Sequence, residues 1–212
     1  KVVNAEELIS HDPQVVFCYA SFDKGDIEKF EKAGLTVIGL KGETLEETYE
    51  AIKIIGEVFA CEDKADDYIK YIKDKINYIK ERAKDIPEDK RPQVLVTGPK
   101  SMYTVATGDM LQSTMVEMAG GENVASELKG FWTEVSPEQI VTWNPDIILA
   151  GSSFGPNSRE DIMKNPAIQT INAIENDKVY NFPSNIGWWD FPLPHAVLGM
   201  LWTAKTINPE TG

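Results

Sequence analysis

Short runs of consecutive apolar residues alternate along the chain with longer segments in which apolar residues recur every three or four positions. An uninterrupted apolar run is typical of a strand buried on both faces of a parallel sheet, and the longer spacing is typical of a helix with one apolar face. The pattern predicts strands at residues 15–17, 35–40, 93–97, 147–149 and 178–182. Because helices fall between these strands, we expect an α/β fold with parallel sheets.

The longest apolar stripe predicts one continuous helix from residue 64 to about residue 85. Isoleucines share one face of this helix at Ile69, Ile72, Ile76 and Ile79, and most other positions are charged. The charged, proline-flanked segment IPEDKRP follows, which indicates a linker. We therefore expect three parts: an N-terminal α/β lobe at 1–62, a connecting helix and linker at 63–90, and a C-terminal α/β lobe at 91–212.

Capping signals predict where two shorter helices begin. Thr44 with Glu47 opens a helix at 44–60, and Asp109 with Gln112 opens one at 109–119. Other helices are expected at 26–33, 157–164 and 194–206. The N-terminal lobe then has only two strands, and two parallel strands leave a sheet poorly covered. We expect this lobe to be incomplete, with elements missing ahead of Lys1.

One sequence unit is repeated, as NAEELISHDPQVVFCYAS at 4–21 and SPEQIVTWNPDIILAGSS at 136–153. When the two copies are aligned at a constant offset, Glu6 matches Glu138. Asp12 matches Asn144 in the same alignment, and each of these two residues is followed by a proline. Each copy predicts a short helix, a break at the proline and a buried strand. A loop of small residues follows each strand, at the sheet edge where open α/β sheets bind ligands.

Composition excludes some functions. The chain has 34 acidic and 21 basic residues and a formal net charge of −13, which argues against nucleic-acid binding through clustered Lys and Arg. No apolar run approaches the roughly 20 residues that span a bilayer. Because the chain opens with Lys1, we expect a leader to have been removed. Neither the cysteines, Cys18 and Cys61, nor the histidines, His11 and His195, have metal-ligand spacing.

Enzyme motifs are not evident. GPKSMYTVATG lacks the ending of a phosphate-binding loop, no G-x-G-x-x-G follows a strand, and no nucleophile elbow is present. A cytosolic α/β enzyme and an intracellular interaction module stay open as alternatives from other functional classes.

Three further segments complete the pattern: AGGENVA at 119–125, the spacing Trp132-x-x-Val135-Ser136 that leads into the second copy of the unit, and the KVY strand that leads to Trp188-Trp189. In this order, with two lobes and a long helix, the chain resembles the substrate-binding proteins of ABC importers for iron–siderophore, haem and cobalamin. The resemblance implies a monomeric, non-enzymatic protein outside the cytoplasm, with or without a lipid anchor. It also implies that the ligand is an iron(III)-siderophore or a similar metal chelate and that the protein has no cofactor. Cobalamin, haem and molybdate or tungstate are alternative ligands for this fold.

The ligand cleft is expected where the strand ends of the two lobes face each other. Aromatic faces there can cover flat apolar ligand surface, while polar groups fix its orientation. The candidate residues that follow the predicted strands are Tyr19, Ser21, Phe22, Lys100, Met102, Tyr103, Ser152, Phe154, Trp188 and Trp189. Of the two adjacent tryptophans, we expect one in the core and one at the cleft. Tyr103 is either a phenolate ligand to haem iron or a hydrogen-bonding wall.

The resemblance also assigns a role to the repeated glutamates. In the family, one glutamate on each lobe pairs with arginines of the permease, and Glu6 and Glu138 match those positions. An ABC permease dimer is therefore the expected partner. The alternative is local: an acidic residue in the first turn of a helix is stabilised by the helix dipole without any partner.

Overall fold

The strands form two separate sheets in a computed structural model that describes residues 5–19, 24–98, 100–151, 158–193 and 195–210. In the first sheet, β1 (Val15–Tyr19) and β2 (Thr36–Leu40) are parallel. The strands of the second sheet are β3 (Gln93–Thr97), β4 (Thr104–Val105), β5 (Glu122–Asn123), β6 (Thr133–Glu134), β7 (Ile147–Ala150) and β8 (Val179–Asn181). The predicted α/β fold is confirmed.

The second sheet is mixed, so the prediction of purely parallel sheets is wrong for it. Strands β5 and β7 pair with β3 in parallel, and β8 pairs with β7 in parallel. In contrast, β4 runs antiparallel to β3, and β6 runs antiparallel to β4. The connection between β3 and β4 is too short for a parallel crossover, which needs a dozen or more residues, so the chain turns back on itself.

Nine α-helices lie in the described part of the chain and surround the two sheets. They are α1 (Ala5–Ser10), α2 (Lys24–Lys32), α3 (Leu45–Val58), α4 (Glu62–Ala83), α5 (Leu111–Met118), α6 (Pro137–Trp143), α7 (Arg159–Met163), α8 (Asn172–Glu175) and α9 (Ala196–Ile207). We call α1 to α3 with the first sheet the N-terminal lobe, and everything from β3 onward the C-terminal lobe. Among the described helices, none is both long and apolar enough to cross a membrane.

Helix α4 is unbroken, as the isoleucine stripe predicts. The side chains of Ile69, Ile72, Ile76 and Ile79 are all buried on one face. This face packs against α3 of the N-terminal lobe and against α5 and α9 of the C-terminal lobe. One helix therefore contributes to the packing of both lobes.

The repeated unit folds alike in its two copies. Asp12, two residues after the end of α1, has a left-handed φ of 48°, and Asn144, the C-cap of α6, has a φ of 46°. Each of these residues precedes a proline, which disfavours the right-handed helical conformation. The strands β1 and β7 then begin at matching positions. The Ser136 hydroxyl accepts a hydrogen bond from the Gln139 N–H at 3.2 Å and so caps α6.

Because Ile76 is buried between the lobes, we expect Ile76→Ala to lower the free energy of unfolding by about 2–5 kcal/mol, the usual cost of truncating a core isoleucine. Chemical denaturation followed by circular dichroism measures the change. The neighbouring exposed residue provides the control, since Asn77→Ala should stay within about 0.5 kcal/mol of the parent. Equal stability of the two variants would contradict the placement of this face in the core.

Candidate ligand site

Two adjoining cavities lie between the lobes, with volumes of about 480 Å³ and about 400 Å³. Both are lined by Tyr19, Glu43 and Phe131. The first cavity is also lined by Leu40, Lys41, Gly42, Thr44, Glu47, Asp109 and Gly130, and the second by Met110, Gln112, Trp132, Phe191 and Pro192. We call this combined space the cleft.

The N-terminal wall of the cleft comes from the carboxyl ends of its two strands. Tyr19 is the last residue of β1, and residues 41–44 follow β2 directly. Helix α3 then begins at Thr44, whose hydroxyl accepts a hydrogen bond from the Glu47 N–H at 3.2 Å, as the capping signal predicts. The Glu47 carboxylate in turn accepts a hydrogen bond from the Glu43 N–H at 3.0 Å. These bonds hold the loop in one conformation at the cleft.

The C-terminal wall comes from the loop before β6, the start of α5 and the loop before α9. That last loop lies against α9 so closely that a methyl group on Gly199 would overlap the carbonyl oxygen of Trp189. Glycine is therefore needed at this point of α9 for the loop that carries Phe191 and Pro192 to reach its place. Phe131 projects from the loop before β6 and is 62% exposed.

A backbone hydrogen bond joins the two walls. The Leu111 N–H, at the first position of α5, donates to the Glu43 carbonyl oxygen at 3.1 Å. Gly42 and Pro192 meet beside it, since a methyl group on Gly42 would lie 3.4 Å from the Pro192 side chain. The N-terminal lobe thus supplies an acceptor for one of the N–H groups that a helix leaves unsatisfied at its start.

The predicted capping of α5 by Asp109 is wrong. Met110 occupies the N-cap position, without a side-chain capping bond, and the Asp109 carboxylate accepts a hydrogen bond from the Gly130 N–H at 2.8 Å. This bond, aided by Lys129, lowers the pKa of Asp109. Gln112 is not a capping partner either: its amide nitrogen donates to the Asp190 carbonyl oxygen at 2.6 Å. The tertiary contacts of both side chains replace the local ones.

Two side chains in the cleft have raised pKa values. Burial, and then the nearby charge of Glu47, raise the pKa of Glu43. Burial, and then the charge of Glu43, raise the pKa of Tyr19. Within the described part of the chain, neither Glu43 nor Glu47 forms an ion pair. Glu43 and Glu47 therefore bring negative charge to the cleft that no ion pair among the described residues balances.

Of the residues expected at the cleft, Tyr19 lines both cavities and is 48% exposed. Lys100 is exposed and Met102 is a buried core residue of the C-terminal lobe. The Tyr103 hydroxyl accepts a hydrogen bond from the Asn165 side chain at 2.7 Å. Of the two roles considered for Tyr103, this bond agrees with a hydrogen-bonding side chain. As ligand contacts, Lys100, Met102 and Tyr103 stay predictions, and they do not line the two cavities.

Trp188 and Trp189 are both half-buried, and neither lines the two cavities. The Trp188 ring packs against the ring of Phe191, with centroids 4.7 Å apart. The division into one core and one cleft tryptophan is therefore not observed. Four other candidates lie outside the described residues, namely Ser21, Phe22, Ser152 and Phe154.

Most of the cleft residues were not expected from the sequence. The loop after β2 follows the same rule that pointed to Tyr19, because it too leaves the carboxyl end of a parallel strand. Glu43 could have been found from that signal. Phe131, Trp132 and Gln112 reach the cleft through tertiary folding, and no local pattern marks them.

The repeated glutamates are both exposed, at equivalent positions in the first turns of α1 and α6. Hydrogen bonds from its own backbone N–H and from the Ser136 hydroxyl lower the pKa of Glu138. This is the behaviour of a carboxylate at a helix start. It keeps the charge in place whether or not a partner binds it.

Metal-ligating residues do not cluster: among the described residues, no group of three or more His, Cys, Asp or Glu side chains could hold a metal ion. His11 is exposed, and the His195 ring nitrogen Nε2 lies 3.2 Å from the Trp188 carbonyl oxygen. The described residues of the two cleft walls offer aromatic, amide and carboxylate groups.

The sequence model of the family described as periplasmic binding protein matches residues 1–186. The chain belongs to this family. The α/β architecture, with its mixed sheet and long helix, agrees with membership.

Three similar proteins place this periplasmic binding protein among its relatives. The ABC transporter substrate-binding lipoprotein YvrC of Bacillus subtilis is 28% identical over 99% of this chain and 66% of its own length. The molybdate-binding protein MolA of Haemophilus influenzae is 29% identical over 98% of this chain and 64% of its own. The crystal structure of Helicobacter pylori CeuE in complex with Ni-His has a TM-score of 0.83 and 26% identity, covering 99% of this chain and 66% of CeuE. The chain thus spans about two thirds of the length of these relatives.

Glu43 makes the stability of this periplasmic binding protein depend on pH. Because its folded-state pKa is raised, its favourable contribution is fully present below the ordinary glutamate value of about 4.3 and is lost as the pH rises through the folded value. We expect Glu43→Gln to raise the Tm at pH 7 and to have little effect at pH 4. Thermal melts at both pH values measure this, with the exposed Glu46→Gln as control. A Tm gain of Glu43→Gln that is equal at both pH values would contradict the assigned cause.

Proposed function

We propose that this protein binds an iron(III)-siderophore or a similar metal chelate in the cleft and delivers it to an ABC importer. The observation that carries the proposal is the cleft itself, walled on both sides by aromatic side chains and formed at strand ends. The protein acts outside the cytoplasm and does not change its ligand chemically. The name of YvrC, an ABC transporter substrate-binding lipoprotein, supports this role and location.

The size and lining of the cleft support a bulky ligand. Cavities of about 480 Å³ and about 400 Å³ adjoin each other, which is room for an organic chelate. Tyr19, Phe131 and Trp132 present ring surface to this space. Aromatic faces gain most when they cover flat apolar ligand surface.

The charges of the cleft favour a neutral or cationic chelate over an oxyanion such as the molybdate bound by MolA. Glu43, Glu47 and Asp109 line the larger cavity, and Lys41 is the one cation among the described residues that line it. Asp109 is paired with Lys129 at 3.5 Å, so Glu43 and Glu47 are the described carboxylates there without an ion pair. A small anion would lie close to these carboxylates with little opposite charge to stabilise it. A ferric trihydroxamate is neutral, since three hydroxamate charges balance the iron, and so fits this environment.

Native mass spectrometry of the protein against a ligand panel tests the proposal directly. The panel contains a ferric trihydroxamate, haem, cobalamin, molybdate and tungstate. We propose that one metal chelate binds with one-to-one stoichiometry and that the two oxyanions do not. Retention of molybdate alone, or chemical conversion of a ligand, would replace the proposed function with an oxyanion-binding or an enzymatic one.

The aromatic walls generate a prediction for binding affinity. Tyr19→Ala and Phe131→Ala should each weaken chelate binding by about tenfold, equivalent to about 1.4 kcal/mol, because each removes ring surface from one wall. Tyr78→Ala, an exposed tyrosine of α4 that does not line the cleft, is the matched control. Titration that follows tryptophan fluorescence measures the affinity, and Trp132→Phe should reduce the quenching on binding. Unchanged affinity in both wall variants would place the ligand elsewhere.

The repeated glutamates generate a prediction for transport. If Glu6 and Glu138 contact the permease, Glu6→Lys and Glu138→Lys should each reduce uptake, and the double variant should reduce it by at least tenfold. Each lobe supplies one half of a bivalent contact, and a lysine adds repulsion toward a permease arginine. Ligand affinity should stay unchanged.

Vesicle uptake and thermal melts on the same variants separate docking from a purely local role. A local role at the helix starts predicts lower Tm values with normal uptake per folded molecule. Glu7→Lys and Gln139→Lys are the controls, since each lies next to one of the glutamates in sequence. Parent-level uptake by the double variant would refute docking through these residues.

A further inference from the structure

A groove on the C-terminal lobe is separate from the cleft. It has a volume of about 230 Å³ and lies where α4, α9 and the end of α5 pack against one another. None of the described residues that line it also lines the cleft. We call this space the α4–α9 groove, and its lining residues are Tyr78, Ile79, Arg82, Ala83, Ala119, Leu201, Ala204 and Lys205.

The floor of the groove is apolar and comes from three helices. Ile79 and Ala83 belong to α4, and Ala119 directly follows α5. Leu201 and Ala204 belong to α9 and are only partly buried, although both pack against the core. Apolar surface that is left open to water gains free energy when an apolar ligand group covers it.

The rim of the groove carries two cations and an aromatic ring. Arg82 of α4 and Lys205 of α9 are both exposed. The Arg82 guanidinium lies over the Tyr78 ring, 5.0 Å from its centroid, and Tyr78 is 51% exposed. No acidic residue is among the described residues that line the groove, although the chain has 34 acidic and 21 basic residues. This lining favours an anionic ligand over a cationic one.

Positive charge extends beyond the groove. Ala83 also lines a second depression of about 300 Å³, together with Lys80, Lys84 and Arg91. Glu117 is the one carboxylate among the described residues there, and it accepts a hydrogen bond from the Ser113 hydroxyl at 3.1 Å. Lys84 pairs with Glu81 at 2.6 Å, but neither Lys80 nor Arg91 forms an ion pair with a described residue. The end of α4 is therefore a positive region of an acidic protein.

A local role accounts for each rim cation but not for their setting. Arg82 lies in the last turn of α4 and Lys205 in the last turn of α9, where the helix dipole favours positive charge. The dipole does not explain why an open apolar floor lies beside both of them. A ligand that is apolar at one end and anionic at the other complements both features.

We infer that the α4–α9 groove binds an anionic amphiphile, with an alkyl chain on the apolar floor and a phosphate or carboxylate head group at Arg82 and Lys205. Guanidinium and ammonium groups donate charge-assisted hydrogen bonds to such head groups. Tyr78 lies at the boundary between chain and head group, which suits its apolar ring and polar hydroxyl. A bilayer lipid and a free amphiphile share this chemistry. The inference does not rest on the proposed function, because the groove is separate from the cleft.

Four probes test the inference by isothermal titration calorimetry: decyl phosphate, decanol, decyltrimethylammonium and inorganic phosphate. In low salt we expect decyl phosphate to bind one-to-one, about tenfold or more tighter than decanol or inorganic phosphate, and to weaken as salt screens the rim cations. Decyltrimethylammonium should not bind. Absence of decyl phosphate binding, or equal affinity for decyl phosphate and decanol, would refute the inference.

Variants assign the binding to the groove. Arg82→Gln and Lys205→Gln should each weaken decyl phosphate binding by about tenfold, because each removes a charge-assisted contact, and should leave decanol binding unchanged. Ala204→Leu should abolish binding of both by filling the groove. Lys64→Gln, an exposed lysine in the first turn of α4, and Phe131→Ala in the cleft are the controls and should not alter it.

Thermal melts on the same variants separate ligand binding from a purely local role. The local role predicts that Arg82→Gln and Lys205→Gln lower the Tm without changing the affinity for decyl phosphate, and that result would overturn the inference. If Ala204→Leu does not fold, these two charge variants still decide the question.

Vesicles identify the source of the amphiphile. Cosedimentation with phosphatidylglycerol vesicles but not with phosphatidylcholine vesicles, lost in Arg82→Gln, would support the inference and assign a bilayer lipid. Binding of decyl phosphate without cosedimentation would support it and assign a free amphiphile. Cosedimentation that is equal for the two vesicle types would contradict selection by the rim cations.

Discussion

The buried isoleucine face of α4 is the constraint on which the arrangement of the two lobes depends. Ile72, Ile76 and Ile79 belong to one core cluster with residues of the C-terminal sheet, and residues of α3 pack against the same cluster. Domain closure needs residues that can absorb large changes in backbone dihedral angles. A continuous helix packed on both lobes does not offer such a point, so we expect little change in the arrangement of the lobes when a ligand binds.

A single loop couples this scaffold to the site. The backbone of Glu43 accepts the first N–H of α5, and its side chain faces the cavities. Fixing the backbone of a residue from the opposite lobe reduces the freedom that its side chain must lose on binding. The packing of Gly42 against Pro192 acts in the same direction, since it holds the residue next to Glu43 against the other lobe.

Elements with a strong periodic pattern were predictable, and those that depend on tertiary contacts were not. The stripe of α4 and the repeated unit, with its left-handed Asp12 and Asn144, follow from local physical chemistry. The two-residue strands β4 and β6 have no pattern of their own: a short connection returns β4 to β3, and β6 then pairs with β4. The spacing of Gln112 from Asp109 predicted a local helix cap, but the Gln112 amide donates instead to the carbonyl oxygen of the distant Asp190. The sequence therefore predicted cleft residues only where they follow a strand, and the remaining cleft residues could be identified only from the three-dimensional structure.

The overall acidity of the chain does not explain how a partner would recognise particular glutamates. With 34 acidic residues, an exposed carboxylate by itself does not distinguish one surface from another. The repeated unit places Glu6 and Glu138 at equivalent points of two lobes whose packing is shared through α4. The hydrogen bonds that stabilise the charge of Glu138 also restrict its side chain, so less conformational entropy remains to be lost when a partner binds. Local stabilisation of Glu138 at the helix start is therefore compatible with the proposed docking, because a restricted carboxylate would lose less freedom if a partner bound it.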